Sequence, residues 1–82
     1  MGDKKSPSQV FGEVLRELRL EHGLTQDQLA ELADTERSHI SSLERAEKGP
    51  SLATILTLAR ALSISAADLM GRVEKRLDPK KR

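Results

Sequence analysis

Along this chain apolar side chains return every three or four residues and never alternate in twos over a strand length, a rhythm that predicts an all-α fold. Phe11, Val14, Leu15 and Leu18 make the first stripe. Ahead of it, Ser6-Pro7-Ser8-Gln9 is a helix start: Ser caps, Pro sits in the first turn where its missing donor is not needed, and Gln9 closes the box. Gly23 supplies the stop. A second, short helix begins at Thr25, whose hydroxyl and the Gln28 amide form a reciprocal capping box, and Leu29, Ala30, Leu32 and Ala33 offer a compact inner surface. Ala30 is small enough for another helix to cross closely, and Asp34 is among the few non-glycine types that tolerate a left-handed turn. In a third helix, about residues 36–45, Ile40, Leu43 and Glu44 fall on one side and Arg37, Ser38, Ser41, Ser42 and Arg45 on another. Ser51 caps a fourth helix with a wide stripe of Leu52, Ile55, Leu56, Leu58, Ala59 and Leu62. Ser65 and Asp68 box a fifth, which carries Leu69, Met70, Val73 and Leu77 and is weakened near its middle by Gly71. The pattern describes one compact five-helix domain over residues 6–77, after a polar lead (1–5) and before a basic tail (78–82) set off by Pro79.

The order and spacing of Gly23-Leu24-Thr25-Gln26, Leu29-Ala30, Ser38-His39-Ile40-Ser41, Leu43-Glu44-Arg45 and Pro50-Ser51-Leu52 resemble the helix-turn-helix of the phage-repressor and Cro-like (XRE) family. The match runs from about Phe11 to Met70. It implies a lambda-repressor-like domain that regulates transcription by binding specific double-stranded DNA, with the third helix as the reader. Three positions depart from the family pattern. Asp34 replaces a turn glycine, Glu36 replaces a capping Ser or Thr, and Ala46 replaces a common glycine, so the third helix is expected to run on toward Lys48 before Gly49-Pro50 stops it. The resemblance also implies a structural ion pair between Arg19 and Glu44, base reading by Ser38 and Ser42, and a Gln26 that touches phosphate and braces the reading helix. Arg37 is the strongest base reader on chemistry, since a guanidinium can donate two bonds to the edge of guanine. Ser41, Arg45 and Lys48 suit phosphates, and His39 lies at the edge of the face where it can meet one.

Charge narrows the picture. Net charge is only +1, and residues 1–71 hold eight basic against eleven acidic side chains, while 72–82 hold six against two. Such a body cannot bind DNA by bulk charge, so the site must be a local basic face with acids turned away. The single aromatic, Phe11, argues against single-strand and RNA platforms, which stack bases on several rings. The lack of cysteine removes disulfides and cysteine-based zinc sites, and no apolar run approaches a membrane span, so a soluble cytoplasmic protein without metal or cofactor is expected. An enzyme is not: His22 and His39 sit in different elements, Ser38 and His39 point apart on a helix, and Asp27 with Glu31 reads as a solvated face. No small-molecule site is evident.

A core of this size stabilises only marginally, so a partner is expected. Two reading helices about one turn of DNA apart would read a palindromic operator as a homodimer, with the dimer surface predicted on helix 5 (Leu69, Met70, Val73 and Leu77) and the end of helix 4; the alternative is that Leu69 and Met70 close the monomer's own core. The competing reading is a protein-interaction module, such as an antitoxin-like partner. Arg37, Arg45 and Gln26 on one surface favour DNA, whereas a face crossed by Glu36, Glu47 and Asp27 favours a protein.

Overall fold

Four helix starts are written into hydroxyl caps. In a computed structural model that describes residues 5–77, Ser6 Oγ accepts from Gln9 N–H at 3.1 Å while the Gln9 side chain accepts from Ser6 N–H at 2.8 Å, opening α1 (Pro7–Glu21). The Thr25/Gln28 box opens α2 (Gln26–Leu32) in the same reciprocal way. Ser51 Oγ accepts from Thr54 N–H to start α4 (Leu52–Ala61), and Ser65 Oγ accepts from Asp68 N–H to start α5 (Ala66–Leu77). Only α3 (Arg37–Glu44) lacks a side-chain cap: Glu36 stands at its N-cap without a capping hydrogen bond. Residues 1–4 of the predicted lead and the whole predicted basic tail lie outside the described residues.

Four helix ends share a single backbone device. After α1, α2, α3 and α4 one residue turns left-handed, and its amide and the next one fold back on the last turn: Gly23 (φ 68), Asp34 (φ 55), Ala46 (φ 62) and Ser63 (φ 55) occupy the turning position. At α3, Ala46 N–H donates to Leu43 C=O at 3.1 Å and Glu47 N–H to Ser42 C=O at 2.9 Å, satisfying carbonyls that the helix end would leave unpaired. Asp34 thus makes the left-handed turn expected of it. The expected run-on of the third helix toward Lys48 is corrected, because α3 ends at Glu44 in spite of the alanine. Alanine carries the glycine conformation there at a steric cost of about 1–2 kcal/mol.

The core is built around α1, which packs on α3 along one side and on α5 along another, while α2 closes on α3 and α4 on α5. Leu15, Leu29, Ile40 and Leu69 are completely buried at its centre. The stripes are narrower than the pattern suggests. Leu32 is exposed instead of joining the inner surface of α2, and on α4 only Leu58, Ala59 and Leu62 are buried, with Ile55 half-covered. Leu52 and Leu56 face outward, 72% and 52% exposed. Leu69 and Val73, predicted as dimer surface, instead close the core of the single chain; Met70 is half-buried against it, and Leu77 is 40% exposed. Gly71 is accommodated without a break in α5. No single helix among the described residues is long and apolar enough to cross a membrane.

Along the α1–α5 seam, α5 is also held by ions. The Arg76 guanidinium donates to both carboxylate oxygens of Glu17, at 2.7 and 2.8 Å, and more weakly to Glu13 at 3.4 Å. Lys5 pairs with Glu13 and Arg72 with Glu21.

Candidate nucleic-acid interface

α3 carries two kinds of side chain on two sides. Ile40 and Leu43 are buried, whereas Arg37 and Ser38 are exposed and Ser41 and Ser42 half-exposed. An α-helix with its side chains is about 10–12 Å across, which a B-form major groove about 12 Å wide admits.

What holds this helix is a buried polar knot. Glu44 accepts from Arg19 Nε at 2.6 Å, from Arg19 Nη2 at 3.0 Å and from Gln26 Nε2 at 3.0 Å. Arg19 Nη1 donates to Leu24 C=O at 2.8 Å. Both ionic side chains are nearly dry, 9% and 5% exposed. The Glu44 carboxylate holds the Arg19 guanidinium above its ordinary pKa, chiefly through their hydrogen bonds. Helices α1, α2 and α3 are therefore tied at one point, and Gln26, the first residue of α2, is oriented by Glu44 of α3.

A second device is a close crossing that the sequence pattern did not single out. At Gly12, in the middle of α1, an added Cβ would lie 2.6 Å from the carbonyl oxygen of Leu43 and 2.8 Å from that of Glu44. The last turn of α3 rests on bare backbone. An isolated glycine inside a strong helical stripe is the signal that marks such an approach.

The outward cations are not left alone. Arg37 Nε stands 3.8 Å from the Asp27 carboxylate, a loose exposed pair. Arg45, the C-cap of α3, donates from Nη1 to Ser41 Oγ at 2.8 Å and uses Nε and Nη2 on the two oxygens of Glu47 at 3.0 and 3.1 Å. Ser42 Oγ reaches the same carboxylate at 3.4 Å. Hydrogen bonding between Arg45 and Glu47 raises the guanidinium pKa and lowers that of the carboxyl. His39 turns to the flank of the face, where its Nδ1 shares a 3.0 Å hydrogen bond with Thr35 Oγ1. It lines a cavity of about 190 Å³ between α3 and Thr54 and Thr57 of α4. Lys48 is exposed in the loop between α3 and α4. Gln26, Arg37, Ser38, Ser41, Ser42 and Arg45 thus stand on or beside one outward helix face, with His39 at its flank and Lys48 beyond its end.

Residues 15–69 match the family model described as "Helix-turn-helix", which takes in the end of α1, all of α2 to α4 and the start of α5. The chain belongs to the XRE-type helix-turn-helix family. Members of this family are DNA-binding transcriptional regulators, and the all-α, lambda-repressor-like fold expected from the resemblance is the one observed. This XRE-type chain is 38% identical over 64 residues to the control protein C.SmaI of Serratia marcescens, covering 78% of this chain and 76% of that protein. Among solved structures it resembles the restriction-modification controller protein C.AhdI of Aeromonas hydrophila, at 44% identity and a TM-score of 0.73 over 76% of this chain and 94% of that one. It also resembles the clp gene regulator ClgR of Corynebacterium glutamicum, at 26% identity and a TM-score of 0.86 over 95% and 83% of the two chains.

Proposed function

We propose that this XRE-type chain is a sequence-specific reader of double-stranded DNA that controls transcription from the cytoplasm, as a repressor or controller, by occupying a palindromic operator as a homodimer. The observation that carries this is the rigid presentation of the outer face of α3 by the Arg19–Glu44–Gln26 knot. Side chains that read base edges must be held in register, and a short helix tied at its buried side supplies that register. Arg37 reads guanine, and Ser38 and Ser42 approach the bases. Gln26, His39, Ser41, Arg45 and Lys48 hold phosphates; the Gln26 amide keeps a second N–H beyond the one given to Glu44.

The proposed dimer surface shifts from helix 5 and the end of helix 4 to the outward side of the first half of α4. Leu69 and Val73 are spent in the core, while Leu52 and Leu56 lie one helical turn apart, 72% and 52% exposed, so a second copy covering that remaining surface would gain about 1–2 kcal/mol for each. Leu52→Asp with Leu56→Asp should give a monomer by light scattering at concentrations where the parent is a dimer.

The direct test is selection from a random-site duplex pool at two salt concentrations. Enrichment of a palindrome with steep salt dependence supports the operator reader. Retention without enrichment overturns it in favour of a protein-interaction module. On the selected site Arg37→Ala should cost about 1–3 kcal/mol and relax the preference at one position, whereas Arg45→Ala should weaken all sequences alike and flatten the salt slope by about 1. Equal losses on selected and random DNA for both variants would refute this division of roles.

A further inference from the structure

Glu47 lies outside α3, yet the backbone returns it to the reading face. The left-handed turn at Ala46 and the bond from Glu47 N–H to Ser42 C=O fold the chain back over the last turn of the helix. Its carboxylate then meets two residues of that face, Arg45 through both oxygens and Ser42 through one. Neither member of the ion pair is buried: the Arg45 and Glu47 side chains are 61% and 55% exposed, so the partnership is exchangeable. A phosphate presents the same fork of oxygens to a guanidinium as this carboxylate does. When Arg45 turns to a phosphate, Glu47 is left as an uncompensated anion beside the DNA.

An anion at that place discriminates. A carboxylate only accepts hydrogen bonds, phosphates and keto oxygens have no proton to give it, and in the major groove its characteristic donor is the N4 amine of cytosine. We propose that Glu47 is a specificity-determining residue, which exchanges Arg45 for the exocyclic amine of a cytosine at the position next to Ser42 and repels DNA that lacks it. This rests on the DNA-reading function above and goes beyond it by naming the base class. On a matched site the carboxylate regains a donor as Arg45 takes its phosphate. On random DNA it stays unpaired within a Debye length of the phosphates.

The test repeats the pool selection with Glu47→Ala and Glu47→Gln beside the parent protein and titrates each against the selected and a random duplex. The parent is expected to select cytosine at one position of each half-site. Glu47→Ala should lose the preference there alone, and Glu47→Gln should shift it toward adenine, whose N6 and N7 suit an amide. Random-duplex affinity of Glu47→Ala should rise roughly eightfold at 0.1 M salt and its salt slope should steepen by about 0.9, because removing the anion raises the net positive charge facing the phosphates by one. In Arg45→Ala/Glu47→Ala that gain should largely vanish. Melting temperatures should match the parent throughout. A motif unchanged in both variants, or a random-duplex affinity unmoved by Glu47→Ala, overturns the proposal while leaving the operator reader standing. A parent that enriches no site overturns both.

Discussion

Removing the Glu44 carboxylate probes the joint that ties α3 to α1 and α2. In Glu44→Ala three hydrogen bonds are lost, two from Arg19 and one from Gln26, and Arg19 keeps only the Leu24 carbonyl. The guanidinium cannot lose its proton and cannot reach bulk water, since its side chain is 9% exposed. A buried charge stripped of its partner costs about 3–5 kcal/mol, against a total stability of about 5–15 kcal/mol for a domain. At roughly 4–8 °C per kcal/mol for a chain of this length, the melting point should fall by well over about 10 °C. Urea unfolding followed by far-ultraviolet circular dichroism measures the loss at low temperature, where the variant is still folded. The companion Arg19→Met/Glu44→Leu removes both charges and should recover much of the stability, because a hydrophobic replacement of a buried pair is often neutral or better. A Glu44→Ala protein within about 1 kcal/mol of the parent would show that the pair is solvated, contrary to its burial.

Ala46→Gly should stabilise the protein by about 0.5–1 kcal/mol: relief of the left-handed alanine at φ 62 exceeds the entropy that glycine adds to the unfolded chain, and a calorimetric melting point that falls instead would contradict this. Gly12→Ala should do the reverse despite the better helix propensity of alanine, because its Cβ would press on two backbone carbonyls that cannot swing aside; a loss of about 1–3 kcal/mol is expected, with weakened operator binding as α3 shifts. Acid should loosen α5. Arg76 holds the Glu17 carboxyl below its ordinary pKa by hydrogen bonding, and Lys5 does so most strongly for Glu13. A carboxyl depressed in the folded state contributes stability that is fully present above its unfolded pKa, about 4.3, and lost as pH falls through the folded value. These pairs are partly exposed and screened, so Glu17→Gln should cost at most about 1 kcal/mol near neutrality and nothing once both proteins are protonated; denaturant midpoints from pH 7 to pH 2 follow the convergence.

Much of this molecule is legible in local chemistry. Ser6, Thr25, Ser51 and Ser65 mark where helices begin because a hydroxyl satisfies amides two or three residues on, an interaction that needs no distant partner. Gly23 and Asp34 mark ends for similarly local reasons. Ala46 shows where that reasoning runs out: its side chain favours helix, yet α3 stops before it, and the close approach of the α3 end to Gly12 of α1 is a contact between residues more than thirty positions apart. Glu47 is an ordinary surface acid in the linear chain, and only the turn it follows sets it against Arg45 and Ser42.

Sequence alone determined the five helices and the buried side of α3 through the apolar period and the helix starts through hydroxyl caps, while the resemblance of its helix-turn-helix motifs pointed to the family. Which leucines are core and which remain outside was decided by tertiary structure. Leu52 and Leu56 repeat on α4 with the same spacing as Leu69 and Val73 on α5, yet the first pair is exposed and the second buried. Periodicity states which side chains share a face of a helix; whether that face is covered depends on where α1 crosses it, and that crossing is set by contacts between parts of the chain far apart in sequence.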